Sequence, residues 1–173
     1  VATFEKEMAE QLGHKHVVAT NAGTSSLMAC LAALGIGMGD EVIVPGYTFI
    51  ASISTIIMMN AVPVLAEIDD SLTIDPDKIE ALITPRTKAI VPVHMLGNPC
   101  KMDKIMEIAK KHNLYVIEDC CQAVGASYKG KCCYVGADAR QSGTYQGELI
   151  LETETQGDIN GDGKITYIMC KGD

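Results

Sequence analysis

The sequence predicts a three-layer α/β/α protein, in which helices cover both faces of a mainly parallel β-sheet. Over the first ~140 residues, short apolar runs rich in β-branched residues alternate with segments of helical periodicity. Apolar residues make up 47% of the 173 residues and charged residues 21%, a composition typical of a folded globular domain. We therefore expect one domain with a substantial core.

Charge and composition argue against several classes of protein, namely nucleic-acid-binding, membrane-spanning and disulfide-rich secreted proteins. The net charge of -8 argues against a nucleic-acid surface. No apolar run reaches the ~18 residues of a membrane span, and no signal peptide is visible. The seven cysteines are odd in number and include two adjacent pairs, which favours reduced core residues over a disulfide framework. Together these features predict a cytoplasmic protein with no membrane or nucleic-acid partner.

The predicted elements of the first half alternate between helix and strand. A helix places Phe4, Met8 and Leu12 on one face. The elements that follow are a strand at His16–Thr20, a helix at Thr24–Leu34, a strand at Glu41–Pro45, a helix at Thr48–Asn60 and a strand at Val62–Ile68. The helix at Thr48–Asn60 is apolar almost all round, which predicts that it is buried on two sides.

The second half repeats this alternation. Asp75 and Pro76 form a helix start, with Asp75 as the N-cap and Pro76 at the first helical position. The elements that follow are a strand at Lys88–His94, a helix around Met102–Ala109 with Lys110, Lys111 and His112 at its end, and a strand at Leu114–Glu118. Asp119 is then predicted at the carboxyl edge of the sheet, where open α/β sheets bind ligands.

A glycine-hydroxyl segment, Asn21-Ala22-Gly23-Thr24-Ser25-Ser26, joins the first predicted strand to a helix. Gly23 lets the backbone approach a ligand closely. The free amides of Thr24 and Ser25, the helix dipole and the hydroxyls together form an anion site, for which phosphate is the natural occupant. The alternative is an ordinary helix cap made by Thr24 or Ser25.

Two further segments place candidate ligand-binding side chains at the carboxyl edge of the predicted sheet. Phe49, one of only two phenylalanines, follows a buried strand and could stack on a flat ring or simply pack. Asp119 ends an apolar strand, so its carboxylate needs a partner such as a protonated pyridine nitrogen. That pairing would keep the ring charged as an electron sink. Gln122 is close enough in sequence to Asp119 to reach the same ligand. The alternative role for Asp119 is a cap of the following helix.

The motifs occur in an order that resembles the DegT/DnrJ/EryC1/StrS sugar aminotransferases, which have the large-domain fold of type I enzymes dependent on pyridoxal 5'-phosphate (PLP). The resemblance runs from about residue 4 to residue 136. The matching stretches are Asn-Ala-Gly-Thr-Ser-Ser-Leu at 21–27, Gly-Asp-Glu-Val-Ile-Val-Pro at 39–45, Tyr-Thr-Phe-Ile-Ala-Ser at 47–52, Ile-Thr-Pro-Arg-Thr-Lys-Ala-Ile at 83–90, Pro-Val-His-Met-Leu-Gly at 92–97 and Val-Ile-Glu-Asp-Cys-Cys-Gln-Ala at 116–123.

The resemblance implies a role for each of these segments. The turn of Gly23, Thr24 and Ser25 would hold the PLP phosphate, Phe49 would stack on the pyridine ring, and Asp119 and Gln122 would bind the ring nitrogen and the ring hydroxyl. No catalytic role is implied for His94. Family substrates are mostly nucleotide-linked keto-sugars or keto-cyclitols, with glutamate or glutamine as amino donor, and the full-length enzymes form homodimers that build their sites across the interface.

The family pattern is lost after Gly136, where a segment carrying the Schiff-base lysine is expected. Lys164 and Lys171 are the only later lysines, and neither lies in that context. We therefore expect residues 1–136 to be a partial PLP-binding domain, residues 137–173 to be a divergent tail, and this chain alone not to transaminate. The alternative is a non-catalytic protein that binds PLP or a phosphorylated ligand.

The tail contains part of a calcium-loop pattern. Asp158, Asn160 and Asp162 place oxygen ligands at alternate positions, and Gly163 follows at the turn. Met169 occupies the twelfth position, where such loops need an acidic ligand. A weak calcium site, and with it a calcium-dependent interaction module, is therefore one interpretation, and a polar turn is the other.

Overall fold

A computed structural model describes residues 1–12, 16–123, 126–132 and 164–165. The helices are α1 at Ala2–Leu12, α2 at Gly23–Ala33, α3 at Ile50–Met58, α4 at Pro76–Ile79 and α5 at Met102–His112, with 3₁₀ turns at Glu80–Leu82 and Met95–Gly97. The strands are β1 at Glu41–Pro45, β2 at Val62–Ala66, β3 at Thr87–Ile90, β4 at Tyr115–Ile117, β5 at Ser127–Tyr128, β6 at Lys131–Cys132 and β7 at Lys164–Ile165.

Five strands form one parallel sheet in the order β2-β1-β3-β4-β7. Strands β5 and β6 form a separate antiparallel pair. Because all five strands of the larger sheet run in one direction, their carboxyl ends meet at a single edge. The α/β class with a mainly parallel sheet is as predicted.

Side-chain alternation along the strands produces the three layers. Val42 and Val44 of β1 belong to a core with α2 and α3, whereas Ile43 belongs to a second core with α4 and α5. Ala89 and Ile90 of β3 divide between the same two cores. A strand whose two faces are both buried carries an uninterrupted apolar run, which is why the sequence of β1 shows no polar alternation.

Residues 16–20 form no strand, so that part of the sequence prediction is wrong. Within the described ranges no strand pairs with them, and the N–H of Ala19 instead donates to the carboxylate Oε1 of Glu5 at 2.9 Å. An apolar β-branched run predicts a strand only if a neighbouring strand is present to receive its hydrogen bonds. Here an α1 side chain takes up one of those donors.

Helix α3 is shorter and more exposed than its sequence predicts. It begins at Ile50, after Phe49 as the N-cap, and ends at Met58. Ile50, Ile57 and Met58 are all more than half exposed. The prediction that this helix is buried on two sides is therefore wrong for the part of the chain the structure describes, because the sheet and α2 cover only one side of it.

The predicted start of α4 is confirmed in detail. The Oδ1 of Asp75 accepts a hydrogen bond from the N–H of Asp77 at 3.0 Å, and Pro76 occupies the first turn. The end of α5 is also as predicted, with Lys110, Lys111 and His112 in its last turn. Positive side chains there interact favourably with the helix dipole.

Residues 137–173 are described only at Lys164–Ile165, which form β7 and pair with β4 at Val116 and Ile117. The division of the chain at residue 136 stays a prediction. Among the described helices, none is both long and apolar enough to cross a membrane.

An ion pair ties the turn after β2 to α5. The Nζ of Lys101 lies 2.7 Å from the Oδ2 of Asp69. Hydrogen bonds lower the pKa of Asp69 to about 2. The largest effect comes from Lys101 and the next from the hydroxyl of Ser71. In the unfolded chain this carboxyl loses both donors, so its pKa returns to ~3.9.

This difference predicts a pH-dependent stability. The Asp69 contribution is fully present above about pH 4 and is lost as the pH falls through 2, because protonation then occurs in the folded state as well. Asp69→Asn should lower the free energy of unfolding at neutral pH by about 1 kcal/mol. This value is smaller than the pKa difference alone would give, because Lys101 is half exposed and solvent screens the ion pair. The substitution should also flatten the decline between about pH 4 and pH 2. Urea unfolding followed by circular dichroism measures both effects.

Asp70→Asn is the matched control, because Asp70 is exposed and makes no ion pair among the described residues. An Asp69→Asn variant with the stability and pH dependence of the wild-type chain would contradict the assignment.

Candidate functional site

The candidate site lies at the carboxyl edge of the parallel sheet. Phe49 follows β1, and Asp119 follows β4. Gly23, Thr24 and Ser25 form the first turn of α2. Helices α2 and α3 share a core on the same face of the sheet. No direct hydrogen bond joins the α2 turn to Asp119 or Gln122 among the residues described.

The first turn of α2 has no side-chain cap. Its N-cap is Ala22, whose extended backbone has φ -164° and ψ 154°. Thr24 and Ser25 lie inside the helix, so the alternative in which either of them caps it is wrong. Ala22 therefore gives the N–H groups of Gly23, Thr24 and Ser25 no side-chain acceptor. The first N–H groups of an α-helix have no partner within the helix, so this turn forms an anion-binding arrangement.

Buried hydroxyls fix the backbone that precedes this turn. The hydroxyls of Thr20 and Ser26 bond to each other and contact the carbonyl oxygen of Ala22 at 3.1 and 3.4 Å. Thr20 is 5% exposed and Ser26 is fully buried. The two hydroxyl groups therefore fix the carbonyl oxygen of Ala22. They leave the N–H groups of the turn available for a ligand.

The backbone of Asp119 is held by the segment that follows β3. Its N–H donates to the carbonyl of Pro92 at 2.9 Å, and its carbonyl accepts from the N–H of His94 at 3.0 Å. This bridge extends the pairing of β3 and β4 beyond their regular ladder. Asp119 is therefore rigidly placed at the sheet edge.

The carboxylate of Asp119 is buried, with 3% of the residue exposed. Its Oδ2 accepts from the hydroxyl of Ser52 at 2.7 Å, and its Oδ1 accepts from the N–H of Cys121 at 3.3 Å. It caps no helix, because residues 120–123 form a turn. No basic side chain bonds to it within the described ranges. A buried carboxylate balanced only by neutral donors is suited to a cationic ligand group, such as a protonated ring nitrogen.

The thiol of Cys121 is a further neutral neighbour of this carboxylate. Desolvation raises the pKa of Cys121 to about 12, and the charge and hydrogen bond of Asp119 add to that effect. The thiol therefore stays protonated at neutral pH and offers no second negative charge.

The side chain of Gln122 is oriented by a left-handed turn. Its Oε1 accepts from the N–H of Leu96 at 2.8 Å. Leu96 has φ 55° and Gly97 has φ 81°, and a Cβ at position 97 would lie 3.2 Å from the carbonyl oxygen of Gln122. Gly97 thus permits a close approach that larger residues would strain. Because the amide oxygen is engaged, the NH₂ group of Gln122 is the end that can donate to a ligand.

Phe49 presents its ring at the start of α3. It is 63% exposed and takes the N-cap position, and its carbonyl accepts from the N–H of Ser52 at 3.1 Å. A large exposed apolar side chain beside buried polar groups is available for stacking on a planar ligand.

A buried cluster of His94, Glu118 and Cys120 has ligand atoms within 4.8 Å of one another, which suggests a metal site. The hydrogen bonds of the imidazole argue against one. Its Nδ1 accepts from the N–H of Cys100 at 3.0 Å, so Nε2 carries the proton and donates to Glu118 Oε2 at 3.1 Å. A metal at Nε2 would require an imidazolate. The imidazole of His94 instead links the backbone at Cys100 to the side chain of Glu118.

The sequence alone did not indicate two residues of the site, Ser52 and Leu96. Ser52 lies in the quoted stretch at 47–52 and stands out as a polar residue in an apolar helix, four positions after Thr48. Leu96 acts through its backbone N–H and leaves no side-chain signal. The candidate calcium ligands Asp158, Asn160 and Asp162 lie outside the described residues, so that site stays a prediction.

Comparison with known proteins identifies relatives over most of the chain. Residues 1–145 match the DegT/DnrJ/EryC1/StrS aminotransferase family, nine residues further than the resemblance drawn from the sequence. GDP-perosamine synthase from Caulobacter vibrioides is 53% identical over 132 residues, which are 76% of this chain and 36% of that protein. The L-glutamine:2-deoxy-scyllo-inosose aminotransferase of Streptomyces kanamyceticus is 48% identical over 73% of this chain and 30% of that protein.

A solved structure supports the same relationship. NtdA from Bacillus subtilis with bound pyridoxamine 5'-phosphate (PMP) superimposes with a TM-score of 0.73 at 42% identity, over 76% of this chain and 30% of that one. This chain spans about a third of the length of these relatives. By sequence and fold, the chain belongs to the DegT/DnrJ/EryC1/StrS aminotransferase family.

Proposed function

We propose that this chain is the cofactor-binding part of a PLP-dependent aminotransferase that moves an amino group from glutamate or glutamine to a keto-sugar. The observation that carries the proposal is the buried carboxylate of Asp119, whose hydrogen-bond donors among the described residues are all neutral. A protonated pyridine nitrogen would supply the missing positive charge.

Each of the other site residues would hold a different part of the same molecule. The free amides of Gly23, Thr24 and Ser25 would bind the phosphate at the N-terminus of α2. The NH₂ group of Gln122 would donate to the ring hydroxyl, and Phe49 would cover one face of the ring. When bound, the cofactor supplies an electron sink, and Asp119 keeps that sink effective by holding the proton on the ring nitrogen.

The names of the relatives support the substrate class. One is named a GDP-perosamine synthase, and another is named an L-glutamine:2-deoxy-scyllo-inosose aminotransferase. A nucleotide-linked keto-sugar or a related keto-cyclitol is therefore the proposed acceptor. The cytoplasmic location expected from the sequence stays a prediction.

A homodimer is the proposed state of the complete enzyme. Exposed apolar side chains on α3 and β2 are consistent with a contact surface, namely Ile50, Ile57, Met58, Val62 and Leu65. β2 is also an edge strand of the sheet among the described strands. Uncovered edges and apolar patches of this kind favour association.

We propose that this chain alone binds the cofactor without turning over substrate. Transamination needs an amine that holds PLP covalently and moves protons. Lys164 and Lys171, the lysines after residue 136, lie outside the expected sequence context. PMP is therefore the appropriate ligand for testing the site, because it already carries its amino group and needs no covalent link to a lysine.

Asp119→Asn should weaken PMP binding by about 10- to 100-fold, because a charged hydrogen bond is worth more than a neutral one. Isothermal titration calorimetry measures the dissociation constant. Asp70→Asn, the same change at an exposed position, should leave it unaltered. Equal PMP affinity in wild-type and Asp119→Asn proteins would refute the assignment of Asp119.

Adding PLP to this chain should produce no imine absorption band, and glutamate with a nucleotide-linked keto-sugar should give no turnover. We expect neither because no lysine lies in the sequence context of a Schiff-base lysine. Non-covalent binding through the phosphate and ring contacts remains available. Absorption spectroscopy and chromatographic detection of the amino-sugar test the two points. Catalysed formation of the amino-sugar would overturn the proposal that this chain is inactive alone.

A further inference from the structure

Two hydroxyl groups, those of Thr48 and Ser52, form a hydrogen-bonded series that ends at the carboxylate of Asp119. The Oγ of Ser52 donates to the Oδ2 of Asp119 at 2.7 Å, and the Oγ1 of Thr48 lies 3.0 Å from the same Ser52 oxygen. Ser52 is 1% exposed. Removal of its hydroxyl would therefore leave a space that is poorly accessible to bulk water.

The direction of these hydrogen bonds follows from the number of protons available. An ionised carboxylate accepts only, so Ser52 must use its single proton on Asp119. Its contact with Thr48 is then one in which Thr48 donates. Hydroxyl groups that donate in sequence polarise one another, which strengthens the last bond in the series.

The contact differs from the usual behaviour of hydroxyls in helices. Thr55, on the same helix, donates to the carbonyl of Ala51 at 2.9 Å, one turn earlier. Such a bond satisfies the hydroxyl locally and links no other element. Ser52 instead directs its proton to a residue 67 positions away in the sequence. The start of α3 is thereby connected to the end of β4.

The carboxylate of Asp119 has capacity for a further donor. Its Oδ2 accepts from the hydroxyl of Ser52 at 2.7 Å, its Oδ1 accepts from the N–H of Cys121 at 3.3 Å, and the thiol of Cys121 adds a hydrogen bond. An ionised carboxylate has about four acceptor positions, so another donor can still bind. The orientation of the carboxylate depends on Ser52, which makes the shorter of the two bonds whose lengths are given above.

We propose that Thr48 and Ser52 are positioning residues, which orient the carboxylate of Asp119 so that it receives the N–H of a protonated cofactor ring. The ligand part of this statement rests on the proposed function. The positioning part concerns contacts within the protein and is testable without any ligand.

The ligand-free test is hydrogen exchange of the Cys121 amide, measured by NMR. Ser52→Ala should speed that exchange about tenfold, because the carboxylate that accepts this N–H is no longer held. Thr48→Val should speed it by a smaller factor, and Thr48→Ser, which keeps the hydroxyl, should restore a rate near that of the wild-type chain. Ser54→Ala is the matched control on the same helix and should change nothing.

The ligand test compares PMP with an analogue in which the ring nitrogen is replaced by C–H. Ser52→Ala should weaken PMP binding about tenfold and leave the affinity of the analogue unchanged, since only PMP uses Asp119. In the Asp119→Asn background, Ser52→Ala should have little further effect on PMP, which is the coupling expected of residues that act through one another. A purely structural defect would weaken both ligands alike.

The outcomes separate the two proposals. If Ser52→Ala leaves Cys121 exchange unchanged, the positioning role is wrong, whether or not PMP binds. If it speeds exchange but the wild-type chain binds no PMP, the positioning role holds and the proposed function fails. If Ser52→Ala does not fold by circular dichroism, Thr48→Val against Thr48→Ser decides the question, because Thr48 is only half-buried.

Discussion

The site depends on one interaction, the hydrogen bond from Ser52 to the buried carboxylate of Asp119. Burying a charge is costly unless hydrogen bonds and an opposite charge offset the loss of water. The protein supplies the hydrogen bonds from α3 and from the turn after β4, but no cation among the described residues. In the proposed function, the ring nitrogen of the cofactor supplies the opposite charge. The same electrostatic interaction would then stabilise the buried carboxylate and recognise the ligand.

The fold makes this balance possible through the direction of its strands. Parallel strands bring their carboxyl ends to one edge, where the segments after β1 and β4 meet. Two residues separated by 67 positions, Ser52 and Asp119, thus come within 2.7 Å. The cores on the two faces of the sheet hold that edge rigid, and the bridge from Val93 to Asp119 extends this rigidity into the site.

Local signals in the sequence predicted much of this architecture. The apolar run of β1 gave its bounds at Glu41–Pro45, and the Asp75 cap was evident from residue types alone. The residues 16–20 were mistaken for a strand because pairing depends on a neighbour that a local pattern does not reveal. The exposed side of α3 was missed for a similar reason, since apolar periodicity does not indicate which faces find a covering element. The Ser52 contact, the backbone donor at Leu96 and the tautomer of His94 all depend on tertiary geometry.

We propose above that Asp119 keeps a proton on the ring nitrogen of the bound cofactor. Nitrogen-15 NMR of PMP labelled at that nitrogen, bound to the wild-type chain at mildly alkaline pH, tests it most directly. We expect a protonated nitrogen, with the chemical shift of a pyridinium and a resolved coupling to its proton. The chemical shift of a neutral pyridine in the bound state would contradict it.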